Sequence, residues 1–292
     1  MLRYLPMSRL SLVAYSDPVW IEHILPSDSL KKRIFKQICR LPFIKFLSPQ
    51  FDGKVLFNSE TVDLEHVLAQ VTQVIPSLDI SAVFLNGGRE PPRIYVWLSA
   101  ENDNYFLKIG TVDDNKLFEN EIGLFESHLP DGVRLVRPLK VLRFGNLSML
   151  FCEGLNLQMH ECKRRLLPRD IIAHFKDRGF LPQGFFGGPV HCDLASNNVF
   201  AINSDVYILD WECSSPKGPS YCDLVELTTA ILFQENIKPV GIGDLQALMT
   251  QLTDLQLPEN TFWDALHFLA ERNNPNALNF LAANSGLNLE RR

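Results

Sequence analysis

From Ser81 onward, apolar residues come in short runs bounded by turn residues. Ser81 to Leu85 is apolar and ends at Asn86-Gly87-Gly88. Arg93 to Leu98 reads Arg-Ile-Tyr-Val-Trp-Leu, and Tyr105 to Ile109 follows the polar turn Glu101-Asn102-Asp103-Asn104. β-Branched and aromatic runs between such turns predict three strands of an antiparallel meander. The period then changes. Phe118, Ile122, Phe125 and Leu129 recur at helical spacing and predict a helix over Lys116 to His128, ended by Pro130-Asp131-Gly132. Strands at Leu135 to Arg143 and Leu147 to Cys152 complete a five-stranded sheet with one helix inserted after the third strand. Gly154 opens a helical region, and helices are expected at Asp223 to Leu232, Ile242 to Asp254, Thr261 to Arg272 and Asn276 to Ala283.

Residues 1–78 form an N-terminal extension of mixed character. Leu30, Ile34, Ile38 and Leu41 mark a short amphipathic helix with Lys31, Lys32, Arg33, Lys36 and Arg40 beside them. A peripheral membrane contact is one use for such a helix. Packing on the main body is the favoured one, because Pro42 cuts the apolar face short. A second helix is expected at Asp63 to Val74.

Composition narrows the choices. The chain has 292 residues, 46% hydrophobic and 21% charged, with net charge −6. A negative balance argues against a nucleic-acid partner. No run approaches the roughly 20 apolar residues of a membrane helix. The six cysteines include no C-x-x-C pair, so no zinc pattern is present, and free thiols point to a reduced, cytoplasmic setting.

The chemistry concentrates in Val190-His191-Cys192-Asp193-Leu194-Ala195-Ser196-Asn197-Asn198-Val199-Phe200, which contains H-x-D-x-x-x-x-N. An apolar strand ending in Asp210 follows, in Ile208-Leu209-Asp210-Trp211-Glu212. Phosphoryl transfer needs such groups: one carboxylate to orient an attacking hydroxyl, and oxygen donors to hold Mg²⁺ against phosphates. Upstream, Lys108 stands inside the third strand. It is either a phosphate-binding lysine or a charge guarding a sheet edge. Glu121 lies among Leu117, Phe118, Leu124 and Phe125 on its helix, where a carboxylate needs a partner; Glu119 lies on a wetter face.

This set resembles the aminoglycoside phosphotransferase and choline kinase group, over roughly residues 80–285. The Asp-Trp-Glu ending is closer to that group than to protein kinases. The resemblance implies an α+β, bilobal protein kinase-like fold, with an N-lobe over 79–153 and a mainly helical C-lobe over 154–292. It implies ATP and Mg²⁺ as cofactors. It makes Asp193 the catalytic base, Asn198 and Asp210 the metal ligands, and Lys108 and Glu121 the phosphate-positioning pair. His191 would brace the loop, Asp223 would brace it from a later helix, and main-chain groups near Phe151 to Glu153 would meet adenine. The loop 85–89 lacks the G-x-G-x-x-G pattern and is as well explained by a plain hairpin. Too few residues separate Asp210 from Asp223 for a peptide platform, so the acceptor is expected to be a hydroxyl of a small molecule. A catalytically inactive kinase-fold binding module is the alternative. The sequence leaves the acceptor and the oligomeric state open.

Overall fold

The computed structural model describes residues 3–8, 11–15, 37, 54–57, 60–71, 77–86, 92–100, 103–125, 133–154, 163–181, 189–195, 198–202, 205–235 and 241–285. The helix expected over 30–41 lies outside these apart from Gln37, as does most of the loop 85–89. The chain divides into two compact units, residues 1–119 with 136–159, and residues 120–135 with 160–292.

The first unit is built on a sheet. Strands β1 (Arg3–Ser8) and β2 (Ser11–Tyr15) form a hairpin. A second hairpin, β3 (Lys54–Phe57) and β4 (Glu60–Asp63), leads into helix α1 (Leu64–Val71). Then come β5 (Asp79–Asn86), β6 (Arg93–Ala100) and β7 (Asp103–Thr111), and a 3₁₀ turn into helix α2 (Asn115–Phe125). After β8 (Val133–Leu135), strands β9 (Pro138–Phe144) and β10 (Leu147–Glu153) close the sheet. Its order is β1-β2-β5-β6-β7-β10-β9. The five expected strands are contiguous and antiparallel, and the N-terminal hairpin extends them to seven through the pairing of β2 with β5. Val83, Leu85, Ile94, Val96, Leu98, Leu107, Ile109, Met149 and Phe151 share one buried core with Val67 and Val71 of α1.

The stretch expected as one strand from Leu135 to Arg143 is two. Proline lacks the N–H that a strand interior needs, so Pro138 can only start a strand, and β9 is accordingly an edge strand. The preceding segment, β8, joins a different sheet, where it pairs in parallel with Val206, Tyr207 and Ile208.

That second sheet belongs to the second unit and runs β11-β12-β13-β8, with β11 (Lys163–Arg165), β12 (Val199–Ile202) and β13 (Asp205–Ile208). Helix α3 (Pro168–Asp177) precedes β12, with Pro168 in its first turn, where a missing N–H costs nothing. Four helices follow: α4 (Cys222–Gln234), α5 (Ile242–Thr253), α6 (Glu259–Ala270) and α7 (Pro275–Asn284). Every residue from Cys222 to Leu232 is buried, so α4 is the central helix of this unit, wrapped by the others. Among the described residues no helix is long and apolar enough to cross a membrane, and Cys152, Cys192, Cys213 and Cys222 are free thiols.

In the first unit a buried ion pair fixes the start of α2. Arg93 Nη1 lies 2.6 Å from Asp114 Oδ2, with side-chain exposures of 1% and 3%. The same carboxylate oxygen accepts from Thr111 N–H at 2.7 Å. Gly110 makes room for it, since a Cβ there would lie 2.1 Å from Asp114 Oδ2. Breaking such a buried pair costs about 3 kcal/mol or more. Asp114→Ala is therefore expected to lower unfolding free energy by about 3 kcal/mol in urea titration; a loss below about 1 kcal/mol would mean the pair is energetically idle.

Candidate active site

The H-x-D segment is irregular backbone whose amides are almost all claimed by side chains. His191 N–H donates to both carboxylate oxygens of Asp223, at 2.9 and 3.1 Å, and Cys192 N–H donates to Oδ1 at 3.1 Å. Leu194 N–H and Ala195 N–H donate to the two oxygens of Glu226, at 2.8 and 3.2 Å. Asp193 N–H, between these pairs, donates to His191 Nδ1 at 3.3 Å. Since Nδ1 accepts, the imidazole proton sits on Nε2, which donates to Leu209 C=O at 2.8 Å. His191 is fully buried and meets Trp211 edge-on, with ring centroids 4.7 Å apart. It is a brace.

Leu209 joins the two halves of the motif. Its carbonyl holds His191, and its N–H donates to Asn198 C=O at 2.8 Å. Asp210 is the next residue, so the backbone brings Asn198 and Asp210 side by side. Asn198 Nδ2 donates to Asp193 C=O at 2.9 Å and to Asp193 Oδ2 at 3.2 Å. Hydrogen bonds thus join Asp193 to Asn198, and Leu209, which bonds both Asn198 and His191, carries Asp210 as its chain neighbour. With the Asn198 amide nitrogen committed to Asp193, its oxygen is the atom left to face a cation. An amide oxygen and a carboxylate suit Mg²⁺, which takes one or two protein ligands and completes its shell with phosphate oxygens and water. Among the described residues no group of three or more His, Cys, Asp or Glu could hold a metal ion.

The backbone is strained here. Cys192, Asp210 and Tyr221 adopt φ of 66°, 64° and 63°. The left-handed region costs L-residues about 1 kcal/mol or more, least for Asp. At Cys192 it turns the chain so that the amides on both sides of Asp193 reach one helix. Strain at a non-glycine residue persists only where surroundings impose it, and here the four N–H groups bonded to Asp223 and Glu226 do so.

The expected brace Asp223 is confirmed in its contacts, and its partner Glu226 was not legible beforehand. In sequence, Glu226 is one polar residue in Leu224-Val225-Glu226-Leu227. The available signal was a carboxylate three residues after Asp223 in a run otherwise apolar enough to be buried all round. Both carboxylates are buried. Burial pushes Asp223 up to about 6 from its ordinary 3.8, with the amides of Cys192 and His191 pulling it back. Burial, then the charges of Asp193 and Asp223, push Glu226 up to about 8 from 4.5. Burial also drives the Cys192 and Cys222 thiols upward, so neither is a reactive thiolate.

In the first unit, Lys108 is 5% exposed and pairs with Tyr95 on one side and Leu150 on the other. Strand β7 is interior, so the edge-guard reading of this lysine is set aside. Glu121 is 6% exposed on α2, while the Glu119 side chain is 62% exposed and meets Arg143 at 3.8 Å. The burial argument that chose Glu121 over Glu119 holds. The Lys108 face of the sheet also carries rings that the sequence reading passed over. Tyr95 stacks on Phe106 at 5.9 Å and on Phe84 at 6.1 Å, and Trp97 meets Phe106 edge-on at 5.1 Å.

Phe151 is buried in the core against Tyr105. Glu153 N–H donates to Arg137 C=O at 2.9 Å and Gly154 N–H to Asn104 C=O at 2.7 Å, so these two donors are spent inside the unit. Gly154 is needed for that approach, because a Cβ there would lie 2.7 Å from the Asn104 carbonyl carbon.

No protein-family profile matches this chain, and no curated protein does either. Among solved structures it is similar to aminoglycoside phosphotransferase APH(4)-Ia in a ternary complex with ADP and hygromycin B, at 10% identity and TM-score 0.44, covering 77% of this chain and 98% of that one. It is also similar to WbdD, at 16% identity and TM-score 0.36 over 62% of this chain and 44% of that one. A third is the Cydia pomonella granulovirus kinase PK-1, at 14% identity and TM-score 0.34 over 52% and 59%. At these TM-scores the likeness adds nothing to the strand order and helix placement above. Those themselves give the kinase-like α+β architecture: a five-strand antiparallel core with a helix after its third strand, then a helical unit.

A raised carboxylate pKa favours the folded state most when the group is protonated. For Glu226 that contribution is complete below about pH 4.5 and is lost as pH rises through about 8. The unfolding free energy of wild type relative to Glu226→Gln is therefore expected to fall steadily across this window in denaturant titrations at stepped pH. A difference independent of pH would show that Glu226 keeps an ordinary pKa in the fold.

Proposed function

We propose that this protein is an ATP- and Mg²⁺-dependent phosphotransferase acting on a hydroxyl group of a small molecule. The observation that carries the reading is the constellation in which Asn198 bonds Asp193 through its amide nitrogen while Leu209 ties Asn198 to the segment bearing Asp210. An aspartate accepting from a fixed amide, beside an amide oxygen and a second carboxylate, is a donor set suited to positioning a hydroxyl near a cation-bound phosphate.

In this reading Asp193 orients the acceptor hydroxyl and takes its proton as the new bond to the γ-phosphorus forms. The bond from that phosphorus to the β,γ-bridging oxygen breaks, and ADP leaves. Asn198 and Asp210 would hold Mg²⁺, which would neutralise phosphate charge when bound. Lys108 serves the α- and β-phosphates, with Glu121 as its orienting carboxylate; a buried ammonium and a buried carboxylate each need an opposite charge. The rings of Tyr95, Phe106 and Trp97, on the face that bears Lys108, offer an apolar surface for a nucleobase. The segments 155–162 and 182–188 lie outside the described residues, and the acceptor is assigned no finer than a small-molecule alcohol.

Mg²⁺-dependent consumption of ATP, measured with a panel of sugars and amino alcohols, tests the reading. Asp193→Ala is expected to retain nucleotide binding and to lose turnover by about 10²- to 10⁴-fold, the usual worth of a general base. Asp210→Ala is expected to abolish Mg²⁺-dependent nucleotide affinity. Wild type and Asp193→Ala equally inert on every acceptor, with nucleotide still bound, would favour the binding-module alternative.

A further inference from the structure

Glu226 and Asn274 are buried, precisely bonded, and have no role in the chemistry above. Asn274 N-caps α7, its Oδ1 accepting from Asn276 N–H and Ala277 N–H at 3.0 Å each. That leaves its Nδ2 hydrogens, and both are used on the catalytic loop side. One goes to Cys192 C=O at 2.9 Å, the other to Glu226 Oε1 at 3.0 Å. Asn274 is 3% exposed and Glu226 1%. An amide side chain offers two donors and an acceptor with two lone pairs, and Asn274 uses all of them.

The consequence is geometric. Asp193 sits between two residues whose backbones are held from one centre. Before it, Cys192 has its N–H on Asp223 and its C=O on Asn274. After it, Leu194 and Ala195 have their N–H groups on Glu226, which Asn274 also holds. Asp223 alone fixes only the amides ahead of Asp193. The Glu226–Asn274 link fixes those behind it and locks the two sides together. Helix capping explains Oδ1 of Asn274 and not Nδ2. Solubility and packing explain neither residue, since an unpaired carboxylate in this place would be costly.

We infer that Glu226 and Asn274 are positioning residues for phosphoryl transfer, setting the orientation of the Asp193 carboxylate by clamping the main chain on both sides of it. This rests on the phosphotransferase reading. A misplacement of about 1 Å can cost 10²-fold in rate while leaving ground-state binding intact.

Isosteric changes separate positioning from folding. Asn274→Asp keeps the cap oxygen but sets an acceptor against Glu226 and the Cys192 carbonyl. Glu226→Gln sets a donor against Asn274 or a loop amide. The double variant E226Q/N274D restores one donor–acceptor pair with reversed polarity. Hydrolysis of Mg²⁺-ATP in full-length protein, followed by ADP release, is expected to show kcat reduced about 10- to 100-fold in each single variant. KM for Mg²⁺-ATP is expected to stay within about twofold, and the double variant to exceed both singles. Backbone amide exchange of residues 191–195 is expected to quicken at least about tenfold in the singles. A kcat within twofold of wild type in both singles, or a loss carried by KM alone, overturns the positioning role. Unchanged exchange in the loop overturns the clamp itself, whatever the activity. If wild-type hydrolysis is no faster than that of Asp193→Ala, the phosphotransferase reading is what has failed, and the exchange result then decides the clamp on its own.

Discussion

Two carboxylates on the first turns of one buried helix, Asp223 and Glu226, hold five consecutive residues of irregular backbone in place. Loop amides removed from water must find acceptors, and regular structure supplies none here. Buried carboxylates likewise need donors, because an ionised one in an apolar core without partners is prohibitively expensive. Each requirement satisfies the other: four N–H groups from residues 191–195 meet four carboxylate oxygens three residues apart on α4. Such hydrogen bonds contribute roughly 0.5–1.5 kcal/mol each, and more where the acceptor is ionised. That is enough to impose the left-handed backbone at Cys192. His191 then reaches the Leu209 carbonyl, and the Leu209 N–H reaches Asn198, with Asp210 next in the chain.

The sheet unit works by the same logic with opposite charges. Lys108 on the interior strand β7 is buried, and the register places it between Tyr95 and Leu150. The Arg93–Asp114 pair ties β6 to the turn that starts α2, and Gly110 permits the approach. That turn fixes where along the chain α2 begins and therefore that Phe118 falls on its buried face.

Much of this was legible in the order of residues. Strands β5, β6, β7 and β10 carry dense β-branched and aromatic runs between strong turn signals, and each formed within a few residues of its expected place. The later helices did the same because their apolar stripes are long. The N-terminal hairpin β1–β2 was missed: its runs are short, and its stability comes from pairing with β5, a long-range contact no local pattern records. The split between β8 and β9 was written in Pro138, which was read through. Asp193, Asn198 and Asp210 were found because motif spacing is local. Glu226 and Asn274 were not, because their role depends on contacts 31 to 82 residues away in sequence. Asn274 in particular looks like an ordinary helix cap before a proline, and only its second set of donors distinguishes it.

The central claim is that Asp193, Asn198 and Asp210 surround a cation-bound phosphate chain. A crystal structure with Mg²⁺ and a non-hydrolysable ATP analogue tests this directly. The account predicts a cation about 2.1 Å from Asn198 Oδ1 and from an Asp210 carboxylate oxygen, with the terminal phosphate facing the Asp193 carboxylate. A nucleotide bound elsewhere, or a cation coordinated without Asn198 and Asp210, would contradict it.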